Sequence, residues 1–105
     1  MVKELTSLKE FQELIAGDAP TLIDFHATWC GPCKQIAPFV EKLEKEYEQI
    51  NFRKVDVDEV SEVAAEVGVR AMPTFMVFRK GEKVGEVVGA NAAALKSLAK
   101  SALSD

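Results

Sequence analysis

Residues 21–27 read TLIDFHA, a short run rich in β-branched and aromatic side chains, with Pro20 in front and Asp24 as the single carboxylate inside. Such a run suits a strand buried on both faces, because its apolar side chains are not confined to alternate positions. A charge within it is costly unless paired, so Asp24 marks either a hydrogen-bonded structural carboxylate or a functional group held out of water.

The segments around that strand alternate between two periodicities. Leu8, Phe11 and Ile15 recur at helical spacing behind Ser7, with Glu10 three residues on, and predict a helix over about 7–16 opened by a capping box. Ile36, Val40, Leu43 and Tyr47 mark the inner face of a second helix, starting near Cys30 and ending near Glu48. Pro38 falls inside it and predicts a kink, since its ring opposes the carbonyl of Lys34. NFRKVDV, residues 51–57, returns to strand; Val60, Val63, Ala64 and Val67 then predict a short helix closed by Gly68. In TFMVFRKGEKVGEVVG, residues 74–89, two apolar runs flank Lys80-Gly81 and predict a β-hairpin. Asn91 caps a last helix that turns Leu95, Leu98 and Ala102 inward. Strands joined through helices favour parallel pairing and the hairpin adds antiparallel strands, so the expected class is α/β, a mixed sheet covered by helices. At 105 residues, with no linker, repeat or low-complexity tract, one domain over 1–105 is the expectation.

Charge narrows the function. Thirteen Lys and Arg against 17 Asp and Glu give −4, interspersed along the chain, which argues against a surface built to neutralise nucleic-acid phosphates. MVKELTSLKE lacks an apolar signal region, and no apolar run approaches the roughly 18 residues of a membrane span. The chain therefore reads as a cytoplasmic protein or the mature form of an organellar one.

The chain's two cysteines, Cys30 and Cys33, lie in WCGPCK, residues 29–34. Three readings compete. As a stabilising staple the pair is poor, because the loop it closes is tiny and removes little unfolded-chain entropy. As a zinc site it is half a site: four ligands are needed, and beyond the two sulfurs the sequence offers His26 and no second Cys-x-x-Cys. The redox reading needs only what is present. Residues three apart on a helix have Cβ atoms roughly 5–6 Å apart, close to what a disulfide spans. The site falls just past the carboxyl end of a strand and at the start of a helix, where open α/β sheets place their chemistry. Amides at a helix N-terminus stabilise a thiolate, so the more N-terminal Cys30 is the expected nucleophile and Cys33 the resolving thiol. Pro32 suits an early helical position, and Gly31 keeps side-chain bulk away from the attacking sulfur.

WCGPCK after DFHAT, followed by AMPT and VVGA, resembles the thioredoxin family over essentially the whole chain. The resemblance implies a central five-stranded mixed sheet with four helices and disulfide-reducing activity toward proteins. It implies Cys30 as attacking thiol, Cys33 as resolving thiol, Trp29 as their shield and Asp24 as a buried carboxylate behind Cys33, passing a proton to or from it. Lys54 is implied as the neighbour of Asp24 from the next strand, with a half-exposed strand lysine as the alternative. Pro73 is implied as a cis-proline facing the disulfide, leaving the Met72 backbone to pair with an extended substrate, and Gly89 as part of the substrate groove. His26 departs from the family, which often has an aromatic or small residue there; strand alternation puts it on the Asp24 face, where it is either a packed strand-end histidine or a modulator of pH response.

The resulting expectation is a monomeric general protein-disulfide reductase with no bound cofactor and no metal. Electrons would come from NADPH through thioredoxin reductase and pass to disulfide-containing proteins. Two alternatives stay open: an oxidase or isomerase of the same fold, from which Gly31-Pro32 points away, and a redox-silent docking module using the Trp29, Pro73 and Gly89 surface.

Overall fold

The computed structural model describes residues 1–104. In chain order the elements are β1 (Lys3–Glu4), α1 (Leu8–Ile15), β2 (Thr21–His26), α2 (Gly31–Glu46), β3 (Asn51–Asp56), α3 (Ser61–Val67), β4 (Thr74–Arg79), β5 (Glu82–Val88) and α4 (Ala92–Ala102). The five strands form one sheet in the order β1-β3-β2-β4-β5. β1 and β2 run parallel to β3, while β4 pairs antiparallel with β2 and with β5. The run that reads as doubly buried is the central strand, and every residue from Thr21 to Phe25 is buried.

Strand alternation sends neighbouring side chains into two separate cores. Leu22, Phe52 and Phe75 join Ile36, Val40 and Leu43 of α2 and Leu95 and Leu98 of α4. Ile23, Phe25, Val55 and Met76 join Phe11 and Ile15 of α1 and Val63 of α3, with Phe11 and Phe78 meeting edge to face at 5.3 Å. A fully buried Leu, Ile or Phe side chain contributes on the order of 2 kcal/mol, and both layers are needed to cover β2.

Local chemistry sets the ends of the elements. The Ser7 hydroxyl accepts the Glu10 N–H at 3.1 Å, but the return arm of the predicted capping box lands one residue early: the Glu10 carboxylate accepts from the Thr6 N–H at 2.8 Å. Gly68 ends α3 in the left-handed conformation and the Asn91 side chain caps α4 through the Ala94 N–H. The hairpin turns on Lys80 and Gly81 alone, with φ of 53° and 80°, the signature of a type I′ turn. Its tip is tied down, because the Lys80 and Gly81 N–H groups donate to the carbonyls of Gly17 and Ile15. α2 runs on through Pro38 to Glu46, with Lys34 and Pro38 both exposed, and Pro38 supplies no N–H for the Lys34 carbonyl.

Two strand ends are corrected in detail. β1 is too short to register as a pattern, β2 stops at His26 and β3 at Asp56, each one residue before the predicted limit. The last strand is mostly exposed, with Val84 and Val88 at 58% and 59% exposure, so its apolar residues are not a buried run.

Candidate active site

α2 starts where β2 has left the sheet, and Cys30 is its N-cap. The Cys33 N–H donates to the Cys30 Sγ at 3.1 Å, so a first-turn amide points at that sulfur. Cys30 and Cys33 are joined by a disulfide, with Cα atoms 5.3 Å apart, and both are buried. Ala27, Val57 and Met72 pack against them. Pro32 sits in the first turn, as its fixed φ and missing N–H favour. At Gly31 a Cβ would meet nothing within 4 Å beyond its two chain neighbours, so the missing side chain leaves open space there.

Behind the disulfide is a cavity of about 360 Å³ walled by Asp24, His26, Cys33, Lys34 and Lys54, among others. Register explains the grouping. Lys54 lies directly opposite Asp24 on β2 and opposite Glu4 on β1, so all three side chains leave the same face of the sheet. His26, two residues beyond Asp24, shares that face, and its Nε2 lies 3.2 Å from Glu4 Oε1 across the intervening strand. Asp24 is buried, and its Oδ1 has no hydrogen-bond partner among the described residues. Burial raises its carboxyl from the ordinary 3.8 to about 6, against the opposing pull of His26 and of Lys54.

On the other side of the disulfide, the Met72–Pro73 peptide is cis and Pro73 is buried. The Gly89 N–H donates to the Pro73 carbonyl at 2.8 Å, and Gly89 has a φ of 100°, which a side chain would strain. Trp29 stands largely in solvent at 66% exposure, and its indole N–H donates to the Asp58 carboxylate at 2.9 Å. Asp56 Oδ1 in turn accepts from the Asp58 and Glu59 amides and holds that loop.

The sequence-predicted residues thus divide between two sides of one disulfide. Asp24 and Lys54 line the cavity behind Cys33; Met72 packs against the two cysteines, and its neighbour Pro73 is tied to Gly89. Asp58 and Glu4 were missed. A carboxylate just past the β3 end is a detectable signal for Asp58, since the loops after β2 and β3 are brought together by parallel register. Glu4 lies in a two-residue strand and leaves no such trace.

Comparison with known proteins gives a consistent result. The thioredoxin family model matches residues 2–101. The chain is 48% identical over 103 residues to thioredoxin-1 of Schizosaccharomyces pombe, covering 98% of this chain and 100% of that protein. It is 52% identical over 93 residues to the thioredoxin of Homo sapiens, covering 87% and 89% of the two chains. Among solved structures, a Plasmodium falciparum thioredoxin superposes with a TM-score of 0.91 at 48% identity, covering 94% of this chain and 97% of that one. A thioredoxin from Trypanosoma brucei brucei superposes with a TM-score of 0.94 at 35% identity, covering 100% and 93%.

Proposed function

The chain belongs to the thioredoxin family, and on that premise we propose how its dithiol is divided between roles: Cys30 attacks, Cys33 resolves and Asp24 carries the Cys33 proton. The activity is that of a thioredoxin-type dithiol–disulfide reductase, with the Cys30–Cys33 pair as its redox centre. Reductases and disulfide-bearing proteins are the partners the family implies, and its members carry no bound cofactor.

The observation that carries the assignment is the Cys33 N–H on Cys30 Sγ. When the pair is reduced, that amide and the helix start behind it favour negative charge on Cys30 over Cys33. The Cys30 thiolate attacks one sulfur of a substrate disulfide, forming a mixed disulfide and expelling the other sulfur as a thiolate. Cys33 then gives its proton to the Asp24 carboxylate, attacks Cys30 Sγ and releases the second substrate thiolate. Two electrons have moved from the dithiol to the substrate. The two substrate thiolates take up protons, one of them returned by Asp24 through the cavity. Lys54 assists by favouring the carboxylate form of Asp24.

The substrate lies as an extended segment against the Met72 backbone, in strand-like pairing, between Trp29 on one side and Pro73 and Gly89 on the other. Gly31 leaves room for it beside Cys30, and Pro32 fixes the start of α2. NADPH supplies the returning electrons through thioredoxin reductase. The protein works as a monomer in the cytoplasm, as one domain over 1–105, in electron transfer that maintains redox homeostasis. No helix among the described residues is long and apolar enough to cross a membrane.

Insulin-disulfide reduction with a small dithiol as donor tests the reading. The wild type accelerates precipitation of the insulin B chain and Cys30→Ser does not; equal rates would leave a docking protein. A redox titration against glutathione then places the pair among reductants, and a strongly oxidising potential would make it an oxidase or isomerase.

A further inference from the structure

A second titratable side chain lines the cavity that holds Asp24. His26, the last residue of β2, lines the cavity, with its side chain 18% exposed and Nε2 held 3.2 Å from Glu4 Oε1. Glu4 lies beyond β3, so the two side chains span the strand that carries Lys54. An anchored ring and a carboxylate whose Oδ1 has no partner among the described residues therefore line one cavity.

Resting on the proton-carrying role of Asp24, we propose that His26 is a positioning residue for that proton: held by Glu4 at the cavity wall, its charge sets how readily Asp24 accepts and returns it. Imidazole can be charged or neutral, so the side chain at position 26 can supply or withhold a positive charge. An imidazolium there favours the Asp24 carboxylate and makes it ready to take the Cys33 proton at mildly acidic pH. Loss of that charge leaves Asp24 protonated over a wider range, and resolution then lacks its acceptor. The direction agrees with the downward pull of His26 on the Asp24 carboxyl.

Other charges face the same space. Glu4 comes from β1, Lys54 and Asp56 from β3, and Lys34 from α2. Asp56 is committed to the Asp58 and Glu59 amides. Lys54 and Lys34 add fixed positive charge that is the same in every variant below, so a change made at position 26 reads the contribution of that side chain.

The test follows the Asp24 carboxyl by ¹³C NMR through a pH titration of the oxidised protein, in which no thiol titrates, for the wild type, His26→Gln and His26→Lys. Gln removes the charge and Lys makes it permanent. The Asp24 midpoint is expected to move up by about half a pH unit or more in His26→Gln and down by a similar amount in His26→Lys, as expected for one charge across a partly hydrated cavity. A purely structural role would displace both midpoints in the same direction. A Gln variant that does not raise the midpoint, or a Lys variant that does not lower it, overturns the proposal. Because the oxidised protein performs no turnover, this result is independent of the insulin assay, so failure here is distinguishable from failure of the reductase reading.

Discussion

Burial raises the Asp24 carboxyl from 3.8 to about 6, with His26 and Lys54 opposing the shift. Between those two values the native state holds a proton that the unfolded state has released, so stability falls as pH rises through that window. Above it the penalty is complete and constant; below it the penalty is gone. Asp24→Asn keeps the shape without the charge. In the oxidised protein it should gain up to about 3 kcal/mol at pH 8, taking about 1.4 kcal/mol per shifted pH unit, and nothing at pH 3.5. Denaturant melts at both pH values check this, and destabilisation at pH 8 would mean that Lys54 outweighs burial. The same variant should reduce insulin about tenfold more slowly, since Cys33 loses its proton acceptor. Asp24 was legible because a carboxylate in TLIDFHA contradicts its surroundings. Glu4 was not, since an exposed acidic residue is ordinary until strand register shows which side chain it meets.

Elements were legible where local chemistry decides them. The caps at Ser7, Gly68 and Asn91 and the Lys80-Gly81 turn each depend on a few neighbouring residues. The offset return arm at Glu10 and the two-residue β1 were not, because side-chain reach and sheet pairing decide them. Lys80 shows how a turn is imposed on a residue that does not favour it: it has a φ of 53°, a conformation Asn adopts more readily than Lys. Lys80→Asn should therefore stabilise the protein by about 0.5 kcal/mol, scaled against the gain from relieving a disfavoured backbone conformation. A chemical-denaturation midpoint that shifts upward with an unchanged slope is the expected result. A downward shift would mean that contacts of the lysine side chain outweigh its backbone cost.

At the scale of the molecule, the fold places one disulfide between two different environments. The parallel strands β1, β3 and β2 align Glu4, Lys54 and Asp24 behind it, while the loops before β4 and after β5 bring Pro73 and Gly89 together in front. The sheet's mixed character was readable from alternating periodicities and a hairpin, but the juxtaposition of residues 24, 54, 73 and 89 is set by long-range pairing that periodicity does not encode. The resemblance of WCGPCK and AMPT to a known family supplied it instead. The division matters for the proposed roles, in which attack by Cys30 needs substrate access and resolution by Cys33 needs a buried base. The most direct measurement is therefore a trapping experiment, in which Cys33→Ser and Cys30→Ser are each incubated with a disulfide-bearing protein and the adducts mapped by mass spectrometry. The account predicts that Cys33→Ser accumulates a mixed disulfide on Cys30, while Cys30→Ser forms little adduct. Adducts found mainly on Cys33 would contradict it.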